Sequence, residues 1–587
     1  MAKTIVALDI ECYTNYFLAI FKSTKGKMHK ISMLNDEIEG DIATINTILQ
    51  RHQIVTFNGD GYDLLILSAF LQGYSNDRLK DLSDSIIVDN IPRWDVNTYY
   101  PDLIIRKCDH IDLMGVTPLQ ASLKTYGCRI HSPKLQDLPI HPSAIIRPKQ
   151  AELLEKYCEN DVDVTLQIYK ELLPQINLRA EIGNLYNMDM RSLSDAQIAE
   201  RAIRSELQEA GVDVHKRTEP VPPWKYEMPD FITFESDELL AVYHQVCSAT
   251  FTINDKGYAQ LPDELDQVIE YAGAKYKLGI GGLHSQEKKQ VIVPTGDQIM
   301  GEYDVASMYP SIILGQNLYP YHLDPKFCDV YRDIFNRRIA AKHAGDKVTA
   351  DTLKIVLNSS YGKFGSKYSF LYAPELLVQT TLSGQLALLM LIERVTLAGA
   401  KVVSANTDGI VVLMDRCEKP HIDSICDKWT EDTTYVLEWT EYDRIYSRDV
   451  NSYLAFKGNE IKTKGAYEYG SIRKGYANAV CLDAVVAYLR DGTPIADTIR
   501  STTDITAFLT MRGVKGGGKW REEPLGKVVR WYMSTDGEPI RYISNDNKVA
   551  GSDGAKPLMD LPDTLPGDID YDLYIVKAEK LIKDLGL

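Results

Sequence analysis

Residues 401–414 read Lys-Val-Val-Ser-Ala-Asn-Thr-Asp-Gly-Ile-Val-Val-Leu-Met. Two apolar, β-branched runs flank a polar bend, which predicts an antiparallel hairpin with Asp408 at its turn. A second stretch has the same character. Gly301-Glu-Tyr-Asp304-Val-Ala-Ser-Met-Tyr309-Pro-Ser311 is a strand that ends on a carboxylate. A strand ending in this way delivers Asp304 to the edge of a sheet, with Tyr309 five residues further on. The fold is therefore built around strands that carry acids at their ends.

Between these two stretches lies Lys354-Ile-Val-Leu-Asn358-Ser-Ser-Tyr361-Gly362. Positions 354, 358 and 361 are i, i+4 and i+7, so one helix face presents Lys, Asn and Tyr together. That face offers a cation for a phosphate and an aromatic edge for a base. Upstream, Arg338 and Lys342 are i and i+4 on a helix that folds back across Gly345-Asp346. On their own these two read equally well as a solvated face. Together with Lys354 they match a triphosphate, which carries several negative charges.

The N-terminal region alternates strands and helices. Leu8-Asp9-Ile10-Glu11 places two carboxylates on one face of a strand, because side chains alternate with period two. Asn58-Gly-Asp-Gly-Tyr62-Asp63 follows the strand Ile54-Val-Thr-Phe57. Tyr157 and Asp161 are i and i+4 on an amphipathic helix that opens at Pro148, where a missing N–H costs little. Clustered carboxylates are hard ligands suited to Mg²⁺ or Mn²⁺, and two such ions can clamp both oxygens of a phosphodiester exchange. A tyrosine hydroxyl could orient the attacking water. Each motif alone is common on solvated surfaces; their order along one chain is what carries the reading.

In that order the motifs resemble those of family B DNA polymerases with a DEDDy 3′→5′ exonuclease domain. The resemblance runs over nearly the whole chain. It implies an α/β multidomain fold: a ribonuclease H-like exonuclease domain plus a right-hand polymerase with palm, fingers and thumb. It assigns Asp9, Glu11, Asp63 and Asp161 to an exonuclease site, with Tyr157 positioning the water and Asn58 touching DNA. In the polymerase, Asp304 and Asp408, with Val305, are implied to hold metal. Tyr309 would exclude a 2′-OH, and Arg338, Lys342, Lys354, Asn358 and Tyr361 would surround the nucleotide. Each site would take two Mg²⁺ (or Mn²⁺) ions. The turn departs from the family's DTDS pattern: Asn406 replaces the first Asp and Gly409 the Ser. That departure supports an alternative, an exonuclease or DNA-binding scaffold with a dead polymerase site.

The resemblance also implies DNA contacts. Gly281 and Gly282 resemble the family's YxGG segment without its Tyr, and Lys462-Thr-Lys464-Gly465 its primer-holding element. Thr407 sits between the turn residues. Residues 512–532 hold six Lys/Arg against two Glu, with two Trp and a Tyr interleaved. That mixture suits a thumb gripping a duplex backbone, with Lys519 and Arg530 as contacts. The expected boundaries are exonuclease 1–178, first palm segment 179–326 with a small module near 220–291, fingers 327–365, palm 366–470, and thumb with tail 471–587. The gaps between Asp304 and Lys354 and between Gly362 and Asp408 are too short for the insertions of protein-primed relatives. DNA-primed synthesis in a compact bacteriophage-type enzyme is expected, with primer–template DNA and dNTPs as partners.

The bulk numbers fit this reading. A chain of 587 residues is too long for one core and implies several domains. A net charge of −17 requires basic residues to be concentrated along a groove if DNA is bound. Nine cysteines without a CxxC pair fit a reducing compartment and oppose a structural zinc site. No apolar run approaches the ~18 residues of a membrane span. A monomer in the cytoplasm, with no membrane association, is the expectation.

Overall fold

The computed structural model describes residues 3–587. The chain is a mixed α/β protein that divides into two compact units. One comprises residues 1–194 and 469–579, the other residues 195–468 and 580–587.

In the first unit a six-stranded sheet runs in the order Glu37–Glu39, Met28–Leu34, Tyr16–Ser23, Ile5–Tyr13, Gln53–Thr56, Asp109–Asp112. The first four strands pair antiparallel, and Ile5–Tyr13, Gln53–Thr56 and Asp109–Asp112 run parallel. Ile5–Tyr13 is central and nearly continuous in apolar residues because both of its faces are covered. Helices Asp63–Leu71 and Asn76–Ile87 contribute to one core, and helix Pro148–Glu171 packs Leu154, Cys158 and Val162 against Ala7, Leu18 and Ile20 in another. A second, four-stranded sheet orders Arg541–Tyr542, Thr510–Trp520, Glu523–Met533 and Ala555–Pro557.

This second sheet belongs to the same unit as the N-terminal region, rather than to a body of its own as the expected thumb boundary at 471 implied. The reason is specific. Arg530 is fully buried, and its guanidinium donates to the main-chain carbonyls of Ser132 (2.6 Å), Pro133 (2.9 Å), Leu558 (2.6 Å) and Met559 (2.8 Å). Lys134 and Asp560 form a β-bridge beside it.

The second unit is built on a seven-stranded antiparallel sheet. Its order is Leu437–Glu441, Gln298–Val305, Gly409–Asp415, Lys401–Asn406, His284–Ser285, Ala274–Lys277, Val268–Tyr271. The residues expected as a small module near 220–291 supply three of these strands and share the core, through Tyr226, Phe251, Tyr276 and Leu283. Helix Pro374–Leu397 runs through that core. Contrary to the sequence expectation, it is long and apolar enough to cross a membrane, but most of it is buried within the protein. Its polar side chains have internal partners: Ser383 bonds Tyr226, Gln385 clamps both backbone groups of Gly279, and Glu393 accepts from Glu235 and Ser236. Helices Lys326–Ala344 and Lys347–Lys363 form an antiparallel hairpin turned at Gly345, which closes the first helix in the left-handed conformation.

Candidate active sites

The first site lies in the first unit. Asp9 and Glu11 project from one face of Ile5–Tyr13 towards Asp161, and one oxygen from each of the three lies within 4.8 Å of the others. Burial, then the Asp161 charge, pushes Asp9 up to about 8. Glu11 is also held well above its ordinary range, by burial and by Asp9 and Asp161. Asp63 is buried in the first turn of helix Asp63–Leu71 and is raised by burial and by Asp9, but it stands outside the group of three. A set of packed carboxyls with only oxygen donors suits a divalent cation, which would relieve their mutual repulsion.

Two features here escaped the sequence reading. Lys124, on helix Leu123–Arg129, pairs with Asp161, and its ammonium lies 4.1 Å from the centre of the Tyr157 ring. It is the cation that holds Asp161 lower than burial alone would leave it. Asp112 accepts from the backbone N–H of Asn58 (2.8 Å) and of Asp60 (3.0 Å), which fixes the loop entering Asp63 with Asn58 at φ 69°. Neither residue falls in a spacing that marks a site.

The second site is a cleft of about 760 Å³ in the second unit. It is lined by Asp304, Val305, Tyr309, Arg338, Lys342, Lys354, Asn358, Tyr361 and Asp408, so nine residues singled out from separate stretches of sequence surround one cavity. Strands Gln298–Val305 and Gly409–Asp415 pair with Asp304 opposite Gly409, and the Val305 N–H donates to the Asp408 carbonyl at 2.7 Å. Burial and the Asp408 charge raise Asp304 to about 7; Asp408 is raised chiefly by burial. Two adjacent raised carboxyls again form an oxygen donor set fit for a divalent ion. Gly409 has a steric reason to replace Ser: a Cβ there would sit 3.1 Å from an Asp304 carboxylate oxygen. Asn406 donates to the Val450 carbonyl (3.3 Å) and accepts from the Thr407 hydroxyl (3.0 Å), so its amide is committed to the turn.

Tyr309 stacks on Tyr361 with ring centres 4.1 Å apart and planes 13° from parallel, and its hydroxyl donates to the Gly281 carbonyl at 2.8 Å. Gly282 lies against the Asp408 turn, where a Cβ would stand 3.1 to 3.3 Å from three Thr407 atoms. The Thr407 N–H donates to the Leu283 carbonyl. The 281–283 segment thus ties the Tyr309 ring to the Asp408 turn. Arg338 donates to the Ser307 hydroxyl, and Lys342 pairs with Glu438 at 3.3 Å. Glu438 stands directly across the ladder from Asp304. Burial lowers Arg338 somewhat, with Asp351 and Glu438 opposing.

Beside the cleft, Lys462 bonds Glu302 (2.8 Å); burial alone would lower its ammonium, but Glu302 together with Tyr453 and Tyr442 holds it above the usual range. Lys464 lies over the Tyr453 ring. In the first unit Lys519 pairs with Asp546 at 3.0 Å. Arg530 is a correction. Its guanidinium is spent on four carbonyls inside the protein, so it is not available to a DNA phosphate.

No protein-family model matches the chain, and no curated protein sequence matches it. Among solved structures, the chain is similar to the family B DNA polymerase from the hyperthermophilic archaeon Pyrobaculum calidifontis. Identity is 15% and the TM-score 0.43, covering 100% of this chain and 78% of that one.

Proposed function

We propose that the chain is a family B-type DNA polymerase that extends a DNA primer on a template and proofreads with its own 3′→5′ exonuclease. One observation carries this reading: the cleft of the second unit gathers Asp304, Asp408, Tyr309, Tyr361 and the three cations Arg338, Lys342 and Lys354 around one cavity. The sheet order and the Asp9, Glu11 and Asp161 group support a ribonuclease H-like nuclease in the first unit. The second unit's sheet and helical hairpin support a palm and short fingers. A bacteriophage replication role is part of the same reading and rests on the resemblance to compact members of the family.

In the polymerase site Asp304 and Asp408, with the Val305 carbonyl, would hold Mg²⁺ or Mn²⁺. When bound, such ions supply activation of the attacking hydroxyl and stabilisation of the leaving phosphate. The chain's own contribution is positional. The stacked Tyr309 and Tyr361 rings form a wall for the sugar and the nascent base pair. Arg338 and Lys342 exchange their contacts with Ser307 and Glu438 for the phosphates of the incoming nucleotide, and Lys354 approaches from the facing helix. In the nuclease site Asp9, Glu11, Asp63 and Asp161 would hold the ions. Tyr157 orients the attacking water, and Lys124 steadies Asp161 and the Tyr157 ring. The commitment of Asn406 to Val450 favours a turn built for Asn over a damaged site.

The test is primer extension and primer shortening in Mg²⁺, with and without dNTPs. Asp304→Ala is expected to abolish extension and spare shortening, and Asp9→Ala the reverse. Shortening by the native chain with no extension, even by the Asp9→Ala variant, would leave the nuclease or scaffold reading in its place.

A further inference from the structure

Glu302 lies on strand Gln298–Val305 two residues before Asp304, so both carboxylates project from the same face. One of its oxygens takes two donors, the Tyr442 hydroxyl at 2.6 Å and the Lys462 ammonium at 2.8 Å. The two donors are themselves 3.4 Å apart. The three side chains therefore form one closed group, drawn from three stretches of chain. Tyr453, on the adjoining strand Ser452–Lys457, is a further neighbour of the ammonium.

The members of the group are not equally buried. The Tyr442 ring packs with Met300, Ile445 and Ala455, and its N–H donates to the Met300 carbonyl at 2.9 Å. Tyr442 is thus fixed to the same strand that carries Glu302. The Glu302 side chain is 18% exposed and that of Lys462 46%. A lysine stem is long and flexible, and one left free in solvent has to be ordered each time an anion arrives. Here the ordering is done by a carboxylate that is itself braced from the core.

The ammonium also reaches the site. Beyond the main effect of burial, the Glu302 charge raises and the Lys462 charge lowers the carboxyls of both Asp304 and Asp408. Yet Lys462 does not line the nucleotide cleft, where Arg338, Lys342 and Lys354 stand. A cation close to the two acids but outside that cavity suits an anion that comes to them from another side, which is the backbone of the strand being extended.

We propose that Glu302, braced by Tyr442, is a positioning residue that holds the Lys462 ammonium ready for a backbone phosphate at the primer's 3′ end. This rests on the polymerase reading and adds Glu302 and Tyr442 to it. Glu302 itself touches no substrate; it acts by having the ammonium ordered before DNA arrives.

Steady-state primer extension in Mg²⁺ tests it, with primer–template and dNTP varied separately. Glu302→Gln keeps an acceptor for the buried Tyr442 hydroxyl and removes the charge that holds Lys462, and Tyr442→Phe removes the brace alone. Glu302→Gln is expected to raise KM for primer–template about tenfold, the size of one lost charge-assisted contact, with KM for dNTP unchanged. Tyr442→Phe should raise it about threefold. Lys462→Ala should raise it at least as much as Glu302→Gln, and adding Glu302→Gln to Lys462→Ala should raise it no further. An unchanged or lower KM for primer–template in Glu302→Gln would overturn the proposal. So would parallel rises in both KM values, which mark a merely structural role, or single effects that add in the double variant. Absence of extension by the native chain would overturn the polymerase reading and this inference with it, whereas normal extension by the native chain with unaffected variants removes this inference alone.

Discussion

Replacing Arg530 by Met removes the guanidinium while keeping most of the side-chain volume. Pro133 and Met559 carbonyls each retain another donor, from the N–H groups of Leu561 and Leu135. The carbonyls of Ser132 and Leu558 take no other hydrogen bond among the described residues. One buried acceptor, Ser132, is therefore orphaned at about 1–3 kcal/mol, the half-buried Leu558 carbonyl loses its donor at a smaller cost, and two others are weakened. Relief of the buried charge, which has no carboxylate partner, offsets part of this. A net loss of about 1–3 kcal/mol is expected, a sizeable share of the ~5–15 kcal/mol typical of a folded domain. Urea unfolding followed by tryptophan fluorescence reads it, since Trp531 is buried next to the substituted position. Duplex binding at several salt concentrations gives the control: the slope of log K against log salt should not change, whereas loss of a phosphate contact would reduce it by about 1. A variant as stable as the native chain, with that reduced slope, would refute the structural account of Arg530.

Tyr309→Ala opens the wall opposite the sugar and is expected to raise ribonucleotide incorporation by roughly 10- to 200-fold in a competition assay. Asn406→Asp sets a carboxylate against the Val450 carbonyl; it should lower the melting temperature, at a cost of about 1–3 kcal/mol, and fail to accelerate extension. Raised carboxyls act on stability in the opposite sense from salt-bridged ones. With Asp9 near 8 and Asp304 near 7 when folded, against about 4 unfolded, metal-free protein should lose stability as pH rises from about 4 towards 8. Mg²⁺ binds the ionised carboxyls, so its stabilising effect in thermal scans should be larger at pH 8 than at pH 6.

The parts legible in the sequence were those where chemistry and periodicity coincide. Lys354, Asn358 and Tyr361 declare a helix face by spacing, and Asp9 and Glu11 declare a strand face. Lys124 does not, because a single lysine on a polar stretch looks the same whether it faces a site or water. Arg530 misled for a related reason. A glycine-, aromatic- and cation-rich stretch suits a DNA grip, and composition does not distinguish a solvated guanidinium from one enclosed by four carbonyls, two of them some 400 positions away in the chain. The apolar helix Pro374–Leu397 was hidden as a candidate span by its scattered Thr, Ser, Gln and Glu, whose partners appear only in the folded core.

The pairing of residues 1–194 with 469–579 in one unit has a consequence for how the protein is made. During synthesis the sheet bearing Asp9 and Glu11 emerges long before the segment that donates to the Ser132 and Pro133 carbonyls. Between them come residues 195–468, most of a second unit with its own hydrophobic core. Until Arg530 arrives, the first unit lacks its guanidinium donor and still has a very long loop to close. The first unit is thereby completed only after most of the second has been translated.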